Sequence, residues 1–263
     1  MPFTISHAVI APPIAKLTGN RLPIAGLAIG SMTPDLYRLF TLAESDFSHH
    51  WSGIFIPNLM IGYGFCLFWY LLYRKFLFRF VGMSKPLEFN HSGSKIGFLL
   101  RLSLALLIGI ATHLIWDGLT HADFRTFAFS GFLSQDISLM GHIYPMHRVL
   151  QIGTSALALP FIAWMGIHYY RSYRVVEPIP AKIYGYALAL LALSLIAGVM
   201  GYQQLVQTLD APISELDLYW FTGKAINHFS RYFLTVFSLG GLLFLVLDRR
   251  GCFATTPTTI SKC

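Results

Sequence analysis

Charge is scarce in this sequence. Only 12% of its 263 residues are Asp, Glu, Lys or Arg, against roughly 25% in an ordinary soluble domain. With 55% hydrophobic residues and a mean hydropathy of +0.58, the chain has too little polar surface to shield its apolar side chains from water. Cysteine is nearly absent. Cys66 lies inside an apolar run, Cys252 and Cys263 lie near the end, and no C-x-x-C pair occurs. Neither a disulfide scaffold nor a thiolate metal or redox centre is expected. The strings G-x-x-x-x-G-K-[ST], H-E-x-x-H and G-x-S-x-G are missing too, which excludes P-loop, zinc-protease and nucleophile-elbow chemistry. The opening MPFTISHAVI lacks the basic stretch of a secretory signal.

Long apolar runs are what the sequence has instead. Gly53–Tyr73, Gly97–Gly118, Val149–Tyr170, Tyr184–Leu205 and His228–Leu247 each reach the ~20 residues that cross a bilayer. A further run, Leu22–Phe40, is interrupted by Pro23, Pro34 and Asp35 and reads as a partial or interfacial helix. The expected fold is an all-α polytopic membrane bundle of about five spans with an N-terminal interfacial helical region. One membrane domain is expected over 1–250, followed by a disordered cytoplasmic tail over 251–263. Within the first residues, Ser6 is expected to cap a short helix that loses regularity at Pro12 and Pro13, and Thr33 to cap a helix beginning at Pro34.

The net charge of +7 is a topology signal and does not imply a nucleic-acid partner. Arg74, Lys75, Arg79, Lys85 and Lys95 lie between the first two spans, Arg171, Arg174 and Lys182 between the third and fourth, and Arg249, Arg250 and Lys262 after the fifth. The other loops hold only Arg125 and Arg148, then Lys224. Lys16, Arg21 and Arg38 oppose this bias without reversing it. The rich loops are therefore expected in the cytoplasm of a bacterial inner-membrane protein, with the amino terminus and residues 1–52 outside.

The stretch GIATHLIWDGLTH ends the second span with His113, Asp117 and His121. At about 100° per residue, an i, i+4, i+8 series stays on one helix face. An aspartate there costs on the order of 3 kcal/mol on insertion scales, so such residues are paired or functional. Imidazole and carboxylate together suit zinc or a similar divalent ion. On the topology above, His7, Asp35, His49, His50, His142, His147 and His228 fall on the same side as these three, and only His91 and His168 fall on the other. Of His49 and His50, His49 is expected to point inward.

The strings MPFTISHAVIAPPI, LAIGSMTPDLYRLF, FSHHWSGIF, THLIWDGLTH and YPMHRVLQIGTSALAL, in this order, resemble the bacterial membrane family catalogued as domain of unknown function 4184. More distantly, the pattern is similar to membrane-bound metal-dependent hydrolases and to zinc-dependent phospholipase C, which share an early His, a Pro-Asp element and a helical His-x-x-x-Asp. The resemblance implies metal-ligand roles for His7, Asp35, His49, His113 and Asp117, with His121 joining them. Where the phospholipase pattern has His-x-x-x-Glu, this chain has His147 and Gln151.

These observations lead to a zinc-dependent, phosphodiesterase- or phospholipase-like hydrolase at the outer interface. His7, His49, His113 and His121 would hold metal, and Asp117 would ligate or bridge. Asp35 would ligate or act as base, and Arg38, Arg125 or Arg148 would clamp a phosphate. Membrane lipids are the expected partners and a lipid headgroup or lipid-linked phosphodiester the expected substrate. The alternative is a non-catalytic membrane protein that binds metal, haem or protons, with His113 and His168 as candidate haem ligands. The topology has its own test. A reporter fused after Lys262 should be active only as a cytoplasmic marker, and outward activity would reverse the assignment.

Overall fold

The computed structural model describes residues 4–41, 46–86, 94–213 and 216–253. Of the tail expected over 251–263, residues 254–263 lie outside this set, as do His91 and most of the connection after Met83. The fold is helical, with one small hairpin. Among the described residues, five helices are long and apolar enough to cross a membrane, the pattern of a multi-pass membrane protein: α3 (Trp51–Val81), α4 (Lys95–Thr120), α5 (Met146–Tyr173), α6 (Ala181–Gln207) and α7 (Leu218–Arg249). Before them come α1 (Ala11–Leu17) and α2 (Ile24–Leu36). Strands β1 (Asp136–Leu139) and β2 (His142–Pro145) pair antiparallel between α4 and α5.

The helices outrun the apolar runs that announce them, most of all at α7, which starts ten residues before His228. Asp217 explains the early start, because its side chain accepts the Trp220 N–H at 3.0 Å and caps the helix. Two details of the amino-terminal region differ from expectation. Pro12 and Pro13 sit in the first turn of α1, where the missing N–H groups have no helical acceptor anyway, so the helix runs on to Leu17. Ser6 does not cap it; its hydroxyl donates to the Ser155 carbonyl at 3.1 Å. Likewise α2 begins after Pro23, with Thr33 and Pro34 inside its last turns. The Thr33 hydroxyl bonds back to Ile29 O at 2.8 Å, which uses it within the helix and not as a cap.

The chain packs as two units, Met1–Leu67 with Pro86–Arg171, and Phe68–Lys85 with Ser172–Cys263. The second has an aromatic core of Phe76, Phe80, Phe244 and Phe253 with Ile183 and Leu190. In the first, α2 lies against α4 with backbone touching backbone. A Cβ at Gly30 would stand 2.5 Å from Leu106 O, and one at Gly109 would stand 2.5 Å from Leu27 O and 2.6 Å from Ser31 N. No side chain fits at either position. A small apolar cluster of Ala11, Ala15, Leu22, Leu27 and Ala105 seals one end of this contact.

Gly109→Ala should therefore push α2 off α4 and destabilise the first unit by about 1–3 kcal/mol, the usual cost of overpacking. Gly64→Ala, whose Cβ would meet nothing within 4 Å, is the comparison. Melting in detergent should drop for the first variant only; equal melting of both would remove the contact's importance.

Candidate metal centre

Four pieces of backbone deliver one cluster. The turn Thr4–Ile10 brings His7, the last turn of α2 brings Asp35, the turn Phe47–His49 brings His49, and α4 brings His113 and Asp117. All five are buried, and His113 and Asp117 are 0% exposed. His7, Asp35 and His113 offer ligand atoms within 4.8 Å of one another, and so do His49, His113 and Asp117. The His7 and His113 rings stack with centroids 3.8 Å apart, and His49 stands edge-on to His113 at 5.4 Å.

The hydrogen bonds around the cluster place the His113 proton and bring the Nε2 atoms to the carboxylates. His113 Nδ1 lies 2.8 Å from the Ser31 carbonyl. A carbonyl only accepts, so Nδ1–H donates and Nε2 of the neutral ring is a bare lone pair. The Ser48 hydroxyl has one proton and lies 2.9 Å from Pro34 O. With that proton on Pro34 O it accepts from His49 Nδ1, 3.1 Å away; in the other tautomer it donates to Nδ1, and His49 Nε2–H donates to Asp35 Oδ1. Both Nε2 atoms face carboxylates. His49 Nε2 is 3.2 Å from Asp35 Oδ1 and 3.7 Å from Asp117 Oδ2, and His113 Nε2 is 3.4 Å from Asp117 Oδ2. Lone pair facing lone pair in a buried site is repulsive, and a cation among them, proton or metal, makes the contacts attractive.

The remaining atoms aim the same way. His7 Nε2, Asp35 Oδ2, His113 Nε2 and Asp117 Oδ1 are buried without a hydrogen-bond partner. Burial holds the His7 and His49 imidazoles below their ordinary pKa, with His113 adding to the effect on His7. For Asp35, burial pushes upward, but His113 and His49 beside it outweigh that and keep the carboxyl well below the usual range. Asp35 is thus held ionised by positive charge on its neighbouring imidazoles, a proton in the place a metal would take, while burial favours for His7 and His49 the neutral form that metal ligands need. The spacing agrees with the chemistry: ligand atoms at about 2.0–2.1 Å around one tetrahedral zinc lie about 3.3 Å from each other. His113 has only Nε2 to give, so the two overlapping groups offer a single ion position rather than two.

The other expected residues are placed as follows. His121 is buried, but its Nδ1 lies 3.1 Å from the Asp117 backbone carbonyl and 3.6 Å from Asp117 Oδ1. It belongs to neither group, and burial takes its pKa down to about 3. His50 points out and stacks on Phe124. His142 is exposed on the hairpin, His147 Nδ1 donates to Leu133 O at 3.2 Å, and His228 lies on α7 in the second unit. Gln151 ties α5 to the end of α4, donating to Thr120 O at 2.8 Å.

Arg125 is the residue with the largest part that spacing did not assign. Its guanidinium donates to Asp117 Oδ2 at 3.2 Å and forks onto the carboxylate of Asp123. Lying eight residues past Asp117 and beyond the helix end, it falls outside any helical periodicity. A local signal did exist in the Asp-x-Arg string, since Asp123 also accepts the Arg125 N–H at 3.0 Å. The mostly buried pair with Asp117 should cost about 3–5 kcal/mol to break. Arg125→Met should melt well below wild type in detergent and chelator, with Arg125→Lys between them. A Met variant that melts like wild type would show that the pair does not hold Asp117.

No curated protein and no solved structure matches the chain. One family model does, described as Domain of unknown function (DUF4184), over residues 1–247. The sequence strings that run through the first unit, the pattern of membrane-length helices and the extent of that match agree, and the chain belongs to this family.

Proposed function

We propose that this protein is a membrane-bound hydrolase that holds one divalent cation, zinc, in the cluster of His7, Asp35, His49, His113 and Asp117. One observation carries the reading: His113, whose Nδ1 proton goes to the Ser31 carbonyl, turns an unpartnered Nε2 onto Asp117, and His49 turns its Nε2 onto Asp35 and Asp117. His49, His113 and Asp117 are the best-spaced set for the ion, with His7 and Asp35 beside them. A bound zinc polarises a phosphoryl or carbonyl oxygen and brings the pKa of water to about 7. Asp35 Oδ2, which has no partner, is the group to accept a proton from that water. Arg125, at Asp117, is the positive charge available to an anionic oxygen of the substrate. A lipid headgroup or lipid-linked phosphodiester suits a site carried at the end of a membrane-length helix. The Lys/Arg bias of the loops supports the outer face for the site, and a bacterial inner membrane is the setting that the sequence resemblance implies.

A closed, non-catalytic metal centre is the second reading. The complete burial of His113 and Asp117 favours it, because a working zinc keeps one position for water. Haem fits poorly. The His7 ring already covers one face of His113 at 3.8 Å, and His168 is exposed on α5, stacked on Trp164.

Purified protein should contain about one zinc per chain and show no Soret band. His113→Ala and Asp117→Asn should lose metal affinity at least about tenfold, and His168→Ala should not. Hydrolysis of bis(p-nitrophenyl) phosphate or a fluorescent phospholipid should follow metal content across the series. Equal metal in all variants would overturn the site. Metal without hydrolysis would leave the closed centre standing.

A further inference from the structure

The hairpin between α4 and α5 chooses residues that a water-exposed turn avoids. Its two central positions, Met140 and Gly141, have φ of 52° and 82°, the mirror-image turn that two-residue hairpins use. That turn takes Asn-Gly or Asp-Gly, because a bulky L-residue is strained at positive φ. Here the strained position holds methionine, 95% exposed. Register puts Ile137, Leu139, Tyr144 and His142 on one face, with Asp136, Ser138 and Ile143 on the other, and Ile143 is 73% exposed. The turn before β1 repeats the choice: Phe129 has φ 61° and is exposed, as is Phe132.

We infer that this hairpin inserts its Leu139–Met140 tip into the lipid leaflet next to the metal centre. Its occupant is lipid because the hairpin leads directly into α5, whose exposed side chains from Ile152 to Ile167 are apolar. Strand β2 ends at Pro145, α5 begins at Met146, and the Met146 N–H donates to Gln135 O at 2.8 Å, clamping the hairpin to the helix start. From there α5 exposes Ile152, Leu157 and Phe161, as a lipid-facing helix does. Two consecutive membrane-length helices also hold both ends of the segment at one bilayer surface. Strands of four residues reach about 13 Å, enough for the 5–10 Å depth at which interfacial apolar groups sit. The inference rests on the membrane pattern of the helices and is independent of metal or catalysis.

The test uses the full chain with Cys252→Ser and Cys263→Ser, Cys66 being buried, and Met140→Cys carrying a nitrobenzoxadiazole label. It is reconstituted at about one chain per vesicle in phosphatidylcholine and phosphatidylglycerol, with and without acyl-brominated phosphatidylcholine. Bromine should remove about half of the emission, as expected for a probe at the headgroup–acyl boundary, and aqueous iodide should quench little. The same label at Ile143→Cys gives a second position if the first does not fold. Adding Met140→Asp, which suits the turn but not lipid, should abolish the bromine effect at Ile143. Full iodide quenching without bromine quenching would overturn the inference. So would shielding from iodide that grows with the number of chains per vesicle, which would make the tip an interface between copies.

Discussion

Helices α2 and α4 touch through their backbones, and the chemistry of the first unit depends on that contact. Gly30 and Gly109 each lack a Cβ where one would strike a carbonyl of the other helix 2.5 Å away. One residue past Gly30 and one turn past Gly109, the same approach brings the Ser31 carbonyl to His113 Nδ1, and Asp35, a turn further along α2, joins the same cluster. Were the helices at the 8–10 Å of ordinary side-chain packing, a wider gap would let water solvate these groups individually. Close approach removes the water and makes them answer to one another.

The two units solve the problem of an interior in opposite ways. The second fills its centre with Phe76, Phe80, Phe244 and Phe253, where dispersion and area burial suffice and nothing needs an exact partner. The first places two carboxylates and three imidazoles at its centre, and such groups cost free energy unless each is paired. Asp117 shows how tightly this is arranged. It meets His49, His113, His121 and Arg125 within 3.7 Å, four neighbours from three chain segments. An arrangement of that kind is expensive to build for stability alone.

Much of this was legible in the residues, and the reasons are physical. Crossing a bilayer needs only length and apolarity, both properties of a linear string, so the five spans could be read directly. The shared face of His113 and Asp117 follows from helical pitch. Helix starts were harder. Pro34 follows Thr33 in the pattern of a first turn, yet it lies inside α2, where the Gly30 carbonyl goes without its helical N–H donor. The partners of the ring Nδ1 atoms were not legible at all. Ser31 acts through its main-chain carbonyl, and Ser48 through a hydroxyl wedged between Pro34 and His49. Backbone acceptors carry no residue identity, so no pattern of side chains announces them. The hairpin was invisible for a different reason: Met-Gly is not a turn signal in water.

The length of α2 bears on how the chain is made. Thirteen residues rise about 20 Å, less than the ~30 Å hydrocarbon core, so this helix cannot thread the bilayer by itself. Its Gly-lined face has nothing to dock on until α4, translated some seventy residues later, is in place. The Gly-lined face and the side chains it positions thus depend on a helix that comes later in the chain, and insertion of that apolar helix has to precede the burial of His7 and Asp35.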